Sequence, residues 1–184
     1  AERSGQMLIG KGDGTALAVK GGNYGLYVSS GGLVCCDATL AVSGGKAAVY
    51  NDSGVGTVKA ATLSADAVSA NNVSGVLAEN GGSLEISGDK ASIKATTTGS
   101  GANAYAISNT GSGAVSVDVT GDIELTASAQ NGSAAAVSGD NITLKAGGQA
   151  SFDVTGLSAK GLSSNSGAGI TVSAAGGSNY KVTA

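Results

Sequence analysis

Apolar and polar positions recur along this chain in a short unit: a small residue, two or three apolar residues, and a polar turn of Ser, Asn, Asp and Gly. The unit occurs six times, in residues 25–31, 47–54, 75–81, 104–111, 134–140 and 159–165. Successive copies begin 22 to 30 residues apart. A repeat of this length cannot bury its apolar face alone and must stack on its neighbours. The pattern therefore predicts a solenoid.

Other segments of each repeat alternate apolar and polar residues with a period of two, which is typical of half-buried β-strands. Examples are residues 83–87, 91–95 and 142–145, with Gly, Asn and Asp turns between such segments. We predict an all-β fold, a single right-handed parallel β-helix (β-solenoid) of about six to seven coils with three short strands each, forming one domain over residues 1–184. An antiparallel sandwich also has short alternating strands, but it does not require the patterns to recur in the same order.

The alternation also predicts which side chains face the interior. Val, Ile, Leu and Ala should lie inside, so Ile123 and Leu144 are predicted to be core residues, with Glu124 and Thr143 outside. With 3% aromatic residues, no Trp and no Pro, the core must be narrow and filled mainly by Ala and Val. The Thr-rich segment 95–101 is predicted to be a longer turn within the solenoid rather than a domain boundary.

Charge excludes one class of partner. The chain has 10 basic and 13 acidic residues, a net charge of −3, and its cations are scattered from Arg3 to Lys181. Nucleic-acid binding requires a clustered basic face, so we expect no nucleic-acid partner. No apolar run approaches the roughly 18–20 residues of a membrane helix, so we expect no membrane insertion of this segment. No secretory h-region is visible, as would also be true of a mature or excised chain.

Candidate catalytic and metal-binding groups are few. The chain has no His, which excludes Ser-His-Asp and Cys-His catalysis and His-ligated zinc. The densest acidic group is Asp118, Asp122 and Glu124, but these residues fall on different predicted strands and should be solvated rather than gathered around a sugar. Residues 10–17 partly match a calcium-binding nonapeptide, which needs successive copies. We therefore predict no catalytic, cofactor-binding or metal-binding residues and no cofactor.

Cys35 and Cys36 are adjacent, so in a strand their side chains point to opposite faces. Aligning residues 33–40 with residues 56–63 places Cys35 over Val58 and Cys36 over Lys59. We therefore expect Cys35 to be a buried small hydrophobe and Cys36 to face outward, with no bond between them.

Segments such as residues 103–109, followed by Gly-punctuated strands of Val, Thr and Asp, resemble the passenger domains of bacterial autotransporter adhesins, which are pertactin-like parallel β-helices. The resemblance covers residues 24–184. It implies secretion, display at the bacterial cell surface or outside the cell, and a role in adhesion or as a stalk. Phage tail fibres share the same physical features.

The leading functional prediction is a non-enzymatic extracellular surface protein of adhesin type, with host or cell-surface glycans or proteins as partners. Neither terminus resembles a polar cap, and open solenoid ends expose unpaired backbone groups. We therefore expect the chain to be either a segment of a longer repeat protein or a stacking subunit, and one alternative function is a self-assembling filament subunit that stacks end to end. The other is a carbohydrate-active enzyme, a polysaccharide lyase or glycoside hydrolase, on the same fold. An acid-lined groove would favour the enzyme.

Overall fold

The computed structural model describes residues 6–9, 14, 16–164 and 168–184. Within them the chain forms seventeen β-strands and no helix, and the strands pair in parallel. The prediction of an all-β parallel β-solenoid is confirmed. The strands are β1 (Gln6–Ile9), β2 (Leu17–Lys20), β3 (Tyr24–Tyr27), β4 (Leu33–Gly44), β5 (Ala47–Asn51), β6 (Val55–Ser69), β7 (Val73–Ala78), β8 (Ser83–Ser100), β9 (Ala104–Asn109), β10 (Val115–Val119), β11 (Ile123–Asn131), β12 (Ser133–Gly139), β13 (Ile142–Ala146), β14 (Ala150–Thr155), β15 (Ser158–Ser163), β16 (Ile170–Ala174) and β17 (Ser178–Thr183).

The strands stack in three columns, which the chain visits in the same order in each coil. The first column contains β1, the first halves of β4, β6 and β8, and then β10, β13 and β16. The second contains β2, the second halves of β4, β6 and β8, and then β11, β14 and β17. The third is a separate six-stranded sheet of β3, β5, β7, β9, β12 and β15. Its six strands are separated by five steps, so the solenoid has about five turns, slightly fewer than predicted.

The core lies between the three columns and follows the predicted alternation. Ile123 and Leu144 are fully buried, whereas Glu124 and Thr143 are exposed. Equivalent residues of successive coils stack on one another, as in the registered series Val58, Ile86, Val117, Leu144 and Val172. Alanines fill much of the remaining interior. The narrow Ala- and Val-rich core that the composition predicts is therefore present.

Three strands continue from the first column into the second, where the sequence predicts turns between separate short strands. β4, β6 and β8 run through both columns without a break, and β8 extends to Ser100, so the predicted turn at 95–101 is wrong over most of its length. The Thr-rich segment instead pairs with β6, with Thr96 opposite Val68. Thr is a good strand former, which explains the extension. At the bend of β8, a Cβ on Gly88 would lie 1.7 Å from the Ala60 carbonyl oxygen, so only glycine fits there.

The predicted orientation of the two cysteines is wrong. Cys36 pairs with Ala60 and is 3% exposed, whereas Cys35 pairs with Lys59 and is half-buried; both thiols are free. The predicted alignment holds beyond this point, since Thr39 does lie opposite Thr62. A register shift between Cys36 and Thr39 adds a residue to β4, and this bulge moves both cysteines by one position.

Two kinds of corner follow the first four strands of the six-stranded sheet. After β3 and β7 the chain makes a two-residue turn at Ser30-Gly31 and Asn80-Gly81, with positive φ at both residues. In each, the N–H of the following glycine donates to the carbonyl three residues earlier, at 2.9 and 2.8 Å. These are type I′ geometries, which favour Gly and Asn. We call the two turns, residues 29–32 and 79–82, the glycine corners.

After β5 and β9 the corner is instead built around a buried asparagine, Asn51 or Asn109. Each side chain donates from Nδ2 to two carbonyl oxygens, one in its own turn and one in the following coil. Each Oδ1 accepts the N–H of the residue two positions on. We call these the asparagine corners. Asn51 and Asn109 occupy equivalent positions on either side of Ala78, so the two kinds of corner alternate over four coils.

Candidate functional site

The outward face of the six-stranded sheet carries a small apolar cluster that is separate from the core. Its buried members are Ala47, Tyr50 and Leu77, and Tyr24 and Tyr27 pack against them. Outward positions elsewhere on the solenoid are mostly polar, so a cluster with three tyrosines on this face is an exception. We call it the tyrosine cluster.

Stacking fixes the rings of the tyrosine cluster. The centroids of Tyr24 and Tyr50 are 4.0 Å apart, with the ring planes 7° from parallel. Tyr27 stacks on Tyr50 at 5.3 Å, and its hydroxyl donates a 2.6 Å hydrogen bond to Asp52 Oδ1. Aromatic pairs of this kind contribute about 0.5–1.5 kcal/mol beyond the area they bury. The cluster is therefore a rigid platform.

An ion pair borders this platform. Lys46 Nζ lies 3.1 Å from Glu79 Oε2, and the Tyr50 hydroxyl donates to the same oxygen at 3.0 Å. Lys46 Nζ is also 5.5 Å and 5.4 Å from the ring centroids of Tyr24 and Tyr50. These contacts hold the ammonium and the carboxylate in fixed positions beside the rings.

The pKa values of Tyr50 and Lys46 are shifted by burial and by these contacts. Burial, and then the hydrogen bond to the Glu79 carboxylate, raise the pKa of Tyr50 above its usual range. Burial disfavours the charged form of Lys46, but its contacts with Tyr24 and Glu79 outweigh this effect and raise its pKa. At neutral pH the site therefore holds a neutral phenol and a paired ammonium and carboxylate.

A pocket of about 220 Å³ opens next to the ion pair. Lys46 and Glu79 lie at its border together with Tyr105, whose side chain is half-buried. The remaining lining residues are mostly small or carry hydroxyl and amide groups: Asn72, Val73, Ser74, Leu77, Ser108 and Thr110. The pocket thus combines an aromatic ring, one charge pair and several neutral hydrogen-bonding groups.

A longer groove of about 740 Å³ adjoins the pocket where the second column turns into the six-stranded sheet. The two cavities share Lys46 and Asn72, so they are contiguous. The groove is lined by Gly22, Asn23, Gly45, Ser69, Ala70, Asn71, Ser100, Gly101 and Ala102 in addition. We call the pocket and the groove together the asparagine groove.

Asn72 has a defined orientation in the asparagine groove. Its Oδ1 accepts the backbone N–H of Asn103 at 2.8 Å, and Asn103 Oδ1 in turn accepts the N–H of Ser133 at 3.0 Å. These contacts join successive coils beside the backbone hydrogen bond from the Val73 N–H to the Asn103 carbonyl oxygen, at 2.9 Å. Because the oxygen of Asn72 is engaged, its Nδ2 remains as a donor that makes no hydrogen bond to the described part of the chain.

The predicted acidic group is not brought together. Asp118 lies on β10 in the first column and pairs with Lys145 at 2.9 Å, whereas Glu124 lies on β11 in the second column and pairs with Lys90 at 2.8 Å. Asp122 Oδ1 accepts the N–H of Gln149 at 2.8 Å. Each carboxylate therefore has its own hydrogen-bond partner. In the described ranges, no three Cys, Asp or Glu residues gather where they could hold a metal ion.

Two further expectations concern the calcium-type segment and membrane insertion. Of the calcium-type segment at residues 10–17, only Gly14, Ala16 and Leu17 are described, and the rest lies outside the described residues. Among the residues that are described, no helix is long and apolar enough to cross a membrane.

Sequence reasoning missed the residues of the tyrosine cluster and the asparagine groove. The one available signal was that Tyr27 and Tyr50 follow the apolar residues of two successive repeats at the same place, and the structure pairs them. Nothing in the sequence pattern connected these tyrosines with Lys46 or Glu79.

Comparisons with known proteins do not show which family this chain belongs to. No family model, no curated protein and no solved structure matches the chain. The resemblance to autotransporter passenger domains therefore remains a hypothesis.

Proposed function

We propose that this protein is a non-enzymatic, extracellular surface protein of adhesin type, and that its asparagine groove binds a glycan. The observation that supports this most directly is the pocket in which Tyr105, the Lys46–Glu79 pair and several hydroxyl and amide groups converge on the outward face of the six-stranded sheet.

The chemistry of this pocket matches the chemistry of a sugar. A sugar ring has an apolar C–H face and a rim of hydroxyl groups that both donate and accept hydrogen bonds. A half-buried ring such as that of Tyr105 offers an apolar surface to the C–H face of the sugar. Glu79 is an acceptor for hydroxyl groups, and Lys46 and Asn72 are donors. Binding sites typically combine such an apolar surface with a few fixed polar groups.

The rigid solenoid suits a surface role. Its coils hold the groove in a fixed position, and display of many copies at a cell surface would turn weak contacts with sugars into strong multivalent attachment. The resemblance to adhesin passenger domains is the argument for an extracellular or bacterial cell-surface location.

The absence of a second carboxylate in the groove argues against the enzymatic alternative. Glycosidases generally use a pair of Asp or Glu residues that flank the scissile bond. Among the described residues that line the groove, Glu79 is the single carboxylate, and it is already bonded to Lys46 and Tyr50. Within the asparagine groove, the lining therefore favours sugar binding over glycosidase chemistry.

A glycan array tests this proposal. The wild-type protein should bind a defined set of glycans, and Tyr105→Ala should weaken the binding by about tenfold because the apolar contact is lost. Val55→Ala is the matched control, since it also shortens an exposed apolar side chain, which lies on β6 outside the asparagine groove. It should bind like the wild type.

Three results would count against the proposal. Binding to no glycan would refute the proposal, and equal losses in Tyr105→Ala and Val55→Ala would show that the Tyr105 ring does not form the site. Release of shorter sugars from a bound glycan would show that the protein is an enzyme.

Head-to-tail association is a second candidate property. On β17, Tyr180 and Val182 are 49% and 46% exposed, which leaves apolar surface on this strand. A polypeptide of residues 1–184 should therefore associate in a concentration-dependent way, and a charged insertion after Val182 should prevent this. Light scattering over a concentration series measures it, and a strictly monomeric rod at high concentration would contradict it.

A further inference from the structure

Resting on the proposed function, we infer that the ligand of the asparagine groove is an uncharged oligosaccharide rather than a sialylated, uronic or sulfated one. The observation behind this is the charge of the lining. Across both cavities, the described lining residues include one cation, Lys46, and one anion, Glu79, and these two are paired at 3.1 Å.

An acidic sugar would meet an unfavourable arrangement in this site. Its carboxylate or sulfate would have to displace Glu79 from Lys46, or approach Lys46 while Glu79 remains within hydrogen-bonding distance of the same ammonium. The first option leaves Glu79 without its cation, and the second places two negative charges side by side. Glu79 is held further by the Tyr50 hydroxyl, so it cannot move away without breaking that bond. The pair thus disfavours anionic ligands.

The neutral groups of the groove are suited to hydroxyl, ring-oxygen and acetamido groups. Asn23, Asn71 and Asn72 line it with exposed side chains. Asn72 presents its Nδ2 donor because its oxygen is engaged by Asn103. Amides recognise uncharged oxygen atoms through hydrogen bonds without a net charge.

The size of the site favours an oligosaccharide over a single sugar. The pocket beside Tyr105 measures about 220 Å³, and the adjoining groove adds about 740 Å³. The larger cavity is within the range of sites that hold ligands of several rings. One sugar can therefore occupy the pocket while its neighbours extend along the asparagines.

The test compares three tetrasaccharides of similar length: tetra-N-acetylchitotetraose and cellotetraose, which are neutral, and tetragalacturonate, which is acidic. Any further uncharged glycan found on the array joins the neutral set. Titration calorimetry of the wild type should show binding of at least one neutral glycan, with a Kd that changes by less than about twofold between low and high salt. Tetragalacturonate should show no binding.

Glu79→Gln provides the sharper arm of the test. It leaves Lys46 unpaired, so the variant should acquire binding of tetragalacturonate, and added salt should weaken that binding. Glu124→Gln is the matched control: it removes a carboxylate from the ion pair with Lys90 outside the groove and changes the net charge equally. The control should bind neutral glycans as the wild type does and should not bind tetragalacturonate.

Asn72→Ala gives a second readout that does not depend on Glu79. It should weaken binding of the neutral glycan by about fivefold through the loss of one donor, without making the affinity sensitive to salt. An unchanged affinity would overturn the role of the asparagines and with it the inference.

The outcomes separate the inference from the proposed function. Salt-sensitive binding of tetragalacturonate by the wild type, or no gain of that binding in folded Glu79→Gln, overturns the inference while glycan binding itself stands. Failure of every glycan, neutral or acidic, overturns the proposed function as well.

Discussion

Replacement of Asn109 by Ala should destabilise the solenoid at one asparagine corner. The side chain is 3% exposed and holds together two coils. Its Nδ2 donates to the carbonyl oxygens of Gly113 and Asp140 at 2.8 and 2.7 Å, and its Oδ1 accepts the N–H of Gly111 at 3.2 Å. Alanine removes all three bonds.

The magnitude follows from the number of bonds and their surroundings. A hydrogen bond contributes about 0.5–1.5 kcal/mol net, so three of them amount to about 3 kcal/mol of unfolding free energy. The partners at Gly111, Gly113 and Asp140 are half-buried, so water can reach them after the substitution, and the larger penalty for sealed polar groups does not apply. For a chain of this size, a loss of about 3 kcal/mol corresponds to a decrease in Tm of about 10 °C.

Urea denaturation followed by circular dichroism measures the loss. Asn109→Asp is an informative companion, because it keeps the shape and the acceptor but removes both donors and should lose most of the same stability. Asn71→Ala, on the exposed surface, should change the free energy of unfolding by no more than about 0.5 kcal/mol. A loss as small as this for Asn109→Ala would refute the reasoning, since water would then replace the side chain without cost.

Three further predictions concern the core, the thiols and the tyrosine cluster. Leu144→Ala should lower the free energy of unfolding by about 2–5 kcal/mol, while Thr143→Ala should stay within about 0.5 kcal/mol; equal losses in urea denaturation would contradict the alternation of β13. In the native protein a thiol reagent should modify Cys35 quickly and Cys36 only after unfolding, because Cys36 is 3% exposed; rapid labelling of both would disprove the observed register. Burial and the bond to the Glu79 carboxylate raise the pKa of Tyr50 above its usual value of 10.0, so part of the tyrosinate absorbance should appear at higher pH in the folded protein than in the unfolded protein. The stability that this network contributes is complete below the pKa of an unfolded tyrosine and is lost as the pH rises through the folded pKa of Tyr50; the same titration curve in the folded and the unfolded protein, with no alkaline loss of stability, would contradict it.

The solenoid and its core could be predicted because one rule governs them. Alternation with a period of two decides which side chains face inward, and the order of strand patterns in successive repeats decides which strands stack. Ile123 and Leu144 obey this rule. The cysteines do not, because the bulge between Cys36 and Thr39 changes the register within one strand, and such a shift moves every preceding side chain to the opposite face.

The candidate site could not be predicted from the same rule. Lys46, Glu79 and Tyr105 come from three different coils, and the repeat pattern does not specify which outward side chains of neighbouring coils contact one another. The buried asparagines show the same limit. A pattern of Ser, Asn, Asp and Gly predicts a turn at Asn51 and at Ser30 alike, yet Asn51 is buried within the stack whereas Ser30 adopts a positive φ.

The alternation of glycine and asparagine corners determines how many coils can be added to the solenoid, or removed from it, at once. Asn51 reaches the Ser83 carbonyl in the next coil, and a Cβ on Gly82 of the glycine corner above it would lie 2.8 Å from Asn51 Oδ1. The Asn51 corner thus fits the glycine corner of the next coil. Among the four coils whose corners alternate, loss or duplication of one coil would place like against like, whereas a change of two coils would keep the alternation. Through the alternating segment, engineered or natural length variants should therefore differ by pairs of coils.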